Sequence, residues 1–248
     1  MRFEKLLKAV GPFVAMAAAT ALTGCDGMDV KFNGEDGVPL SDLDITGTPP
    51  TGVALGGPDI VIVTTGDDFA IDVDGTDEAA DRMRFALADG MLGIGRARGN
   101  SGKGDVATIN ITLPAVSSIA IGGSGRIKAD RLHGEADIAV GGSGRAEVAS
   151  VESDRLDVVI GGSGSATARG RVERLDISIG GSGIADLAQL YAENAEVSIG
   201  GSGSARFASN GRVNANIGGS GDVRVRGTAE CTQSTVGSGR LICEDDEP

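Results

Sequence analysis

Four carboxylates recur at nearly constant spacing in the second half of the chain, where they could do chemistry together. They lie six positions before a repeated serine: Asp137, Asp157, Asp176 and Glu196. If the repeats stack as neighbouring strands, these side chains lie about 4.8 Å apart. Such a row could bind a cation, or could serve a retaining glycosidase, which needs two carboxylates about 5 Å apart. The alternative is an ordinary solvent-facing row, neutralised by nearby arginines: Arg155, Arg171 and Arg174.

The N-terminus carries the pattern of an export signal. Three basic residues precede an apolar run over residues 9–22, which has the length of a signal-peptide core and is too short to span a membrane. The run ends in Leu22-Thr23-Gly24-Cys25, which resembles the bacterial lipobox, where cleavage leaves a cysteine that is then lipidated. We therefore predict a signal peptide over residues 1–24, a lipidated Cys25 and a flexible tether over residues 25–52. The alternatives are an ordinary secretory signal with a coincidental cysteine and an apolar helix that the mature protein retains.

Lipidation of Cys25 would place the mature protein in the cell envelope, because two or more acyl chains anchor a protein stably to a membrane. Asp26, which follows Cys25, resembles an inner-membrane retention signal of enteric bacteria. The predicted localisation is an exported lipoprotein of the inner or outer membrane that faces the periplasm, or one on the cell surface. The predicted membrane contact is the lipid itself.

The other two cysteines are predicted to form a disulfide. Without Cys25, the chain retains Cys231 and Cys243, an even number in an oxidising compartment. Both fall in columns of the repeat that are otherwise apolar and point inward. The alternative is a pair of buried free thiols.

Composition excludes several function classes. The chain has 248 residues, a net charge of -13 and 3% aromatic residues. Residues 26–100 hold 5 basic and 15 acidic residues, whereas residues 117–243 hold 13 basic and 14 acidic ones. Because the chain lacks both a basic stripe and aromatic residues on which bases could stack, nucleic-acid binding is disfavoured. Residues with the spacing of a calcium-binding β-roll, a nucleophile elbow or a phosphate loop are also missing. We predict no catalytic residues, no metal site and no cofactor.

A glycine-rich repeat dominates the second half of the chain. Gly-Gly-Ser-Gly recurs six times and ends in the variant Val-Gly-Ser-Gly, at intervals of 18 to 20 residues. The repeated serines are Ser124, Ser143, Ser163, Ser182, Ser202, Ser220 and Ser238. Apolar residues alternate with polar ones on both sides of each motif, which is the pattern of strands with one buried face. A repeat of this length cannot bury that face alone, so the repeats must stack as parallel coils.

These features predict an all-β fold, a single-stranded parallel β-helix or β-solenoid over residues 53–243. Residues 117–243 form its regular coils of about 18–20 residues, and residues 53–116 form less regular first coils. Within the latter we predict a short helix over residues 76–83 and a loop over residues 95–104. The repeated serines are predicted to form a structural turn ladder through their hydroxyls. The acidic residues 244–248 are predicted to be a disordered tail.

The run of Ile-Gly-Gly-Ser-Gly motifs resembles the head GIN domain family of putative autotransporter adhesins over roughly residues 53–243. The resemblance implies a right-handed parallel β-helix in an exported bacterial protein, often a lipoprotein. It also implies an adhesive role, without catalytic residues to transfer. The leading hypothesis is a non-enzymatic, lipid-anchored envelope protein that binds a glycan, an envelope polymer or a protein surface.

Two other functions stay open at this point. One is a periplasmic structural or stress-linked lipoprotein without a specific ligand, and the other is a carbohydrate-active enzyme. The second is weakened by the shortage of aromatic residues, which commonly form the platforms that hold sugars. Exposed strand edges at the ends of a solenoid also make self-association a possibility.

Overall fold

The computed structural model describes residues 31–32, 35–97 and 106–244. The predicted signal peptide, Cys25, most of the 95–104 loop and residues 245–248 lie outside the described residues. The strands are β1 (Lys31–Phe32), β2 (Glu35–Asp36), β3 (Gly52–Leu55), β4 (Ile60–Thr65), β5 (Ala70–Asp74), β6 (Met83–Ala88), β7 (Met91–Arg96), β8 (Thr108–Leu113), β9 (Ser118–Ile121), β10 (Arg126–Ala129), β11 (Leu132–Val140), β12 (Arg145–Ile160), β13 (Ser165–Ile179), β14 (Ile184–Gly201), β15 (Ser204–Ser209), β16 (Arg212–Gly219), β17 (Asp222–Arg226), β18 (Glu230–Gly237) and β19 (Arg240–Glu244). A helix, α1, spans Asp77–Asp81, and a 3-10 turn spans Leu40–Asp42.

Parallel coils stack along one axis, which confirms the predicted β-solenoid. In each regular coil, one strand enters the glycine motif and a second strand leaves it. The entering strands form what we call the front face: β9, the ends of β11, β12, β13 and β14, then β16 and β18. The leaving strands form the back face: β10, the starts of β12, β13 and β14, then β15, β17 and β19. The coils therefore share one register from end to end.

Alternation along these strands builds the core. Inward positions hold small and branched apolar residues, and the column three before each serine illustrates the packing. From Ile121 through Val140, Ile160 and Ile179 to Ile217, the residues of this column are at most 2% exposed. Each buried aliphatic side chain of this kind contributes roughly 1.5–3 kcal/mol to folding.

The first coils stack in a different order from their order in the chain. The coil of β3 and β4 pairs in parallel with β7 and β8 on one side and with β9 and β10 on the other. Later residues therefore lie on both sides of an earlier coil. The predicted first coils do form. The sequence pattern did not reveal that the second coil, of β7 and β8, stacks on the outer side of the first coil, of β3 and β4.

Two antiparallel strands close this end of the solenoid, which we call the head. Strand β5 pairs with β8, and β6 pairs with β7 through a two-residue turn at Asp89 and Gly90. Both turn residues have positive φ, as a type I′ hairpin turn requires. Between β5 and β6, α1 begins after Thr76, whose side chain accepts a hydrogen bond from the N–H of Ala79. The helix predicted over residues 76–83 is therefore confirmed in shorter form, but strand pairing at the head is not parallel as in the coils.

Part of the predicted tether is also structured. Strands β1 and β2 pair with each other, and Val38 exchanges two backbone hydrogen bonds of 2.8 Å with Phe85 of β6. Leu40 and Leu43 pack against the core. This segment covers the outer edge of β6.

A buried ion pair joins the two irregular coils. Asp59 occupies the register position that glycine holds in the next coil, and its side chain is fully buried. Its carboxylate accepts hydrogen bonds from the Arg96 guanidinium, at 2.9 Å from Nε, and from the N–H of Ala107, also at 2.9 Å. A buried charge left without its partner is strongly destabilising, so this contact fixes how the two coils meet.

The opposite end, which we call the tail, is the coil of β18 and β19. The predicted disulfide is confirmed there, between Cys231 and Cys243. Gln233 stands in a column that is apolar in the other regular coils, and its side-chain oxygen accepts a hydrogen bond of 2.9 Å from the N–H of Leu241.

Within the residues that the structure describes, we find no helix with the length and apolar character needed to span a membrane.

Substituting the glycine that follows a repeated serine tests why the coils can stack so closely. A Cβ on Gly164 would lie 2.5 Å from Cγ1 of Val140 and 2.6 Å from the carbonyl oxygen of Gly144 in the preceding coil. We expect Gly164→Ala to lower the free energy of unfolding by about 2 kcal/mol, because the contact is with backbone that cannot move aside. The measurement is urea denaturation followed by circular dichroism.

Gly180→Ala is the matched control, because a Cβ there meets no atom within 4 Å. Its effect should stay within about 0.5 kcal/mol. Equal losses for the two variants would contradict close packing of the coils as the reason for glycine at residue 164, because the smaller entropy of the unfolded alanine chain would by itself stabilise both variants.

Candidate functional site

The four predicted carboxylates do form one row on the front face. Asp137 lies directly opposite Asp157, Asp157 opposite Asp176, and Asp176 opposite Glu196. The row continues as Ser118 toward the head and as Asn214 toward the tail. Because adjacent parallel strands are about 4.8 Å apart, like charges are neighbours along the row.

Arg155 partly neutralises this row. It lies two residues before Asp157, so its side chain points to the same face. Its guanidinium lies 3.0 Å from Oδ1 of Asp157 and 2.9 Å from Oδ2 of Asp176, and so joins the two carboxylates. The hydrogen bond to Asp157 raises the pKa of Arg155. Arg171, expected to neutralise the row as well, instead lies over the ring of Tyr191 at 4.4 Å from its centroid.

Burial and neighbouring charge disturb the acids unequally. Desolvation, and then the charge of Asp157, raise the pKa of Asp137 to about 6, against a weaker opposing effect of Arg155. The pKa of Asp176 is also raised, mainly by burial, although Arg155 opposes this. The pKa of Asp137 therefore lies closer to neutral pH than the ordinary value for an aspartate.

The two central acids, Asp157 and Asp176, share the guanidinium of Arg155 and so form an ion-paired cluster in the middle of the row. Among the described residues, no group of three or more side chains is arranged to hold a metal ion.

The seven repeated serines form a second row, at the edge where the two faces meet. Their backbone groups make the turn ladder: the N–H of Ser143 donates to the carbonyl of Gly123, and that of Ser163 to Gly142, at 3.1–3.2 Å. The side chains of all seven serines are exposed. Within the part of the chain that the structure describes, their hydroxyls are not seen to hydrogen bond to one another, so the expected hydroxyl ladder is replaced by a backbone one. The hydroxyls face solvent.

Between the serines and the acids runs a strip of small side chains, four positions before each serine. Its members are Ala120, Ala139, Val159, Ser178, Ser198, Asn216 and Ser234. A large ligand can therefore approach the strand backbone closely here. The back face differs because long side chains pair across its coils, as Arg126 does with Glu147 and Arg206 with Asp186. Sequence reasoning did not single out this strip, although its position in the repeat would have revealed it.

The raised pKa of Asp137 predicts a stability that depends on pH. The folded chain holds the Asp137 proton more tightly than the unfolded chain, so its contribution to stability falls as pH rises from about 4 to about 6. Asp137→Asn removes this ionisation. We expect the variant to be about 1 kcal/mol more stable than the parent above pH 6, after allowance for solvent screening of a partly exposed group, and equally stable below pH 4.

Thermal unfolding at several pH values measures this difference. Asp154→Asn, an exposed aspartate on the neighbouring strand β12, is the control and should change stability little at any pH. A stabilisation by Asp137→Asn that did not vary with pH would contradict an ionisation effect.

Comparison with known proteins agrees with this geometry. The family model described as "Putative auto-transporter adhesin, head GIN domain" matches residues 49–229. A putative adhesin from Bacteroides fragilis superimposes with a TM-score of 0.70 at 20% identity, covering 80% of this chain and 93% of that one. A putative lipid binding protein from Parabacteroides distasonis gives 0.61 at 20% identity, covering 80% and 94%. A putative adhesin from Parabacteroides merdae gives 0.60 at 18% identity, covering 82% and 94%.

No curated protein sequence matches the chain. The structural likenesses therefore establish the fold, and the family model establishes the relationship. With the glycine-turn solenoid over the matched residues, the chain belongs to the head GIN domain family of auto-transporter adhesin-like proteins.

Proposed function

We propose that this protein is a non-enzymatic, lipid-anchored envelope protein that binds another surface through its front face. The anchor is Cys25, at the end of a signal-peptide pattern. The observation that carries the binding role is the continuous strip of small side chains, flanked by exposed serines on one side and by the acidic row on the other. A rigid solenoid repeats this surface at each coil, which suits a partner that is itself extended or repetitive.

Charge on the front face favours a partner that is not strongly acidic. Toward the tail the face is neutral and rich in hydrogen-bonding groups, as at Ser198, Asn214 and Asn216. Toward the middle it carries the acidic row. Hydroxyl and amide groups of this kind recognise the hydroxyls of a neutral polysaccharide, so we propose a neutral envelope or surface glycan as the partner.

The anchor is tested by growing cells with radioactive palmitate. The parent chain should incorporate the label, and Cys25→Ser should abolish incorporation because the acceptor sulfur is lost. Ser41→Ala, in the same N-terminal segment, is the control and should leave labelling unchanged. Label retained by Cys25→Ser would contradict anchoring at this cysteine.

Binding is tested with immobilised neutral and acidic polysaccharides. Ser178→Arg together with Ser198→Arg places two long side chains on the strip, and we expect at least a tenfold loss of affinity for the glycan that the parent chain binds. Thr167→Arg with Ser204→Arg places the same side chains on the back face and should leave affinity unchanged.

A parent chain that retained none of the glycans would contradict the proposed partner. Equal losses for the two double variants would contradict the front face as the binding surface. Protease treatment of intact and osmotically opened cells adds the location: cleavage in intact cells indicates a surface glycan as the partner, and cleavage only in opened cells indicates an envelope glycan.

A further inference from the structure

The tail of the solenoid leaves unpaired strand edges on both faces. Among the described residues, β18 pairs with β16 and β19 pairs with β17, and no further strand covers either of them. Leu241 is only partly buried, whereas Val223, in the same column one coil earlier, is fully buried. The last layer of the core is therefore open on one side, as it would be if a further layer were to pack there.

The head is closed in a different way. Val38 and the residues that follow it cover the edge of β6. Strand β5 carries acids at its exposed positions, Asp72 and Asp74, and follows Asp67 and Asp68. Charged edge strands of this kind discourage pairing with another chain. The two ends are thus unequal, and the open one is the tail.

Strand β19 is complementary to itself. Its outward side chains are Arg240, Ile242 and Glu244, and its inward ones are Leu241 and Cys243. When two such strands pair antiparallel about Ile242, each Arg240 lies opposite the partner's Glu244, and Ile242 lies opposite the partner's Ile242. On the inward side, Leu241 meets the disulfide-bonded Cys243 of the partner subunit. We propose that a second copy of this chain binds here, so that two solenoids join tail to tail about a two-fold axis.

Backbone directions agree with this pairing. The N–H of Arg240 donates to the carbonyl of Gly221, and the carbonyl of Glu244 accepts from Gly227, so even-numbered residues of β19 point to β17. Because successive residues point to alternate sides, the backbone groups of Leu241 and Cys243 point to the open edge. These are the two residues that would exchange hydrogen bonds with the partner strand.

Gln233 occupies this edge in the single chain. Its side-chain oxygen accepts from the N–H of Leu241 at 2.9 Å, and its amide nitrogen lies 3.5 Å from the carbonyl of Gly239. The partner's Cys243 carbonyl would replace the Gln233 oxygen, so one hydrogen bond is exchanged for another. On the other face, β18 can pair about Ser234, and no like charges then oppose each other.

Charge also disfavours a head-to-tail arrangement. In that arrangement, Glu244 of β19 would meet an edge that carries Asp72 and Asp74 beside Asp67 and Asp68. In the tail-to-tail arrangement it meets the partner's Arg240. A two-fold contact closes after two copies, whereas a head-to-tail contact would continue into a filament.

Sedimentation of the mature chain, residues 25–248, tests the proposal. It lacks the predicted signal peptide and carries Cys25→Ser, so that neither the apolar leader nor a lipid can itself cause association. We expect a monomer–dimer equilibrium between about 1 and 100 µM. Arg240→Glu should weaken the dimer at least tenfold, because two pairs of like charges then oppose each other. Arg240→Glu with Glu244→Arg restores opposite charges and should restore the dimer.

Arg224→Glu is the matched control, since it reverses an exposed arginine one coil away from the edge and should leave the dimer unchanged. Gln233→Ala removes the competing side chain and should tighten the dimer several-fold. Circular dichroism and an intact disulfide establish folding of each variant. A chain that stays monomeric throughout the range, open-ended polymers, or a dimer that the double reversal does not restore would overturn the proposal.

Discussion

The close approach of neighbouring coils at the glycine motif is the constraint on which the rest of this structure depends. Backbone N–H groups of one turn donate to carbonyls of the turn before it at 2.7–3.2 Å, and a side chain on the last glycine of the motif would strike that backbone. Once the turns stack in this way, both strands of each coil are held in one register. Inward columns must then be apolar wherever a neighbouring coil covers them on both sides. Outward columns can vary more, because the backbone hydrogen bonds between coils do not depend on their side chains.

This constraint explains why so much could be predicted from sequence. A period of 18–20 residues fixes which residues face each other, so the acidic row and the inward position of both C-terminal cysteines follow from alignment alone. The contacts of Arg155 did not follow, since they depend on which of two neighbouring acids a long side chain reaches. The stacking order at the head did not follow either. There the β3–β4 coil pairs with the β9–β10 coil, although these strands lie far apart in the chain. A signal was nevertheless present: Gly56-Gly57-Pro58-Asp59 stands in register with Gly122-Gly123-Ser124-Gly125, and the buried Asp59 marks the departure from the repeat.

The outer surface divides into regions with different physical character. On the back face, charges are paired across coils, and long side chains cover the strands. On the front face, small residues leave the strands accessible beside a row of acids in which burial raises the pKa of Asp137 and Asp176. The family relationship indicates an extracytoplasmic, envelope-associated protein, and the front face supplies a surface suited to that setting. A solenoid that varies its outward columns while keeping its turns can change what it contacts without changing its fold.

The position of the β3–β4 coil between two other coils also has a mechanical consequence. Hydrogen bonds between coils run along the solenoid axis, so a pulling force along this axis peels a terminal coil away one bond at a time. Strand β3 is not at the end of the stack, because β7 holds one side of it and β9 the other. Tension that enters the solenoid from its N-terminal side therefore has to draw β3 out from between two neighbours, which breaks both sets of bonds together. At the other terminus, the bond between Cys231 and Cys243 keeps the last turn from unwinding fully. Each end at which load enters therefore has a restraint beyond a single strand pairing: a second neighbouring strand at β3, and a disulfide at β19.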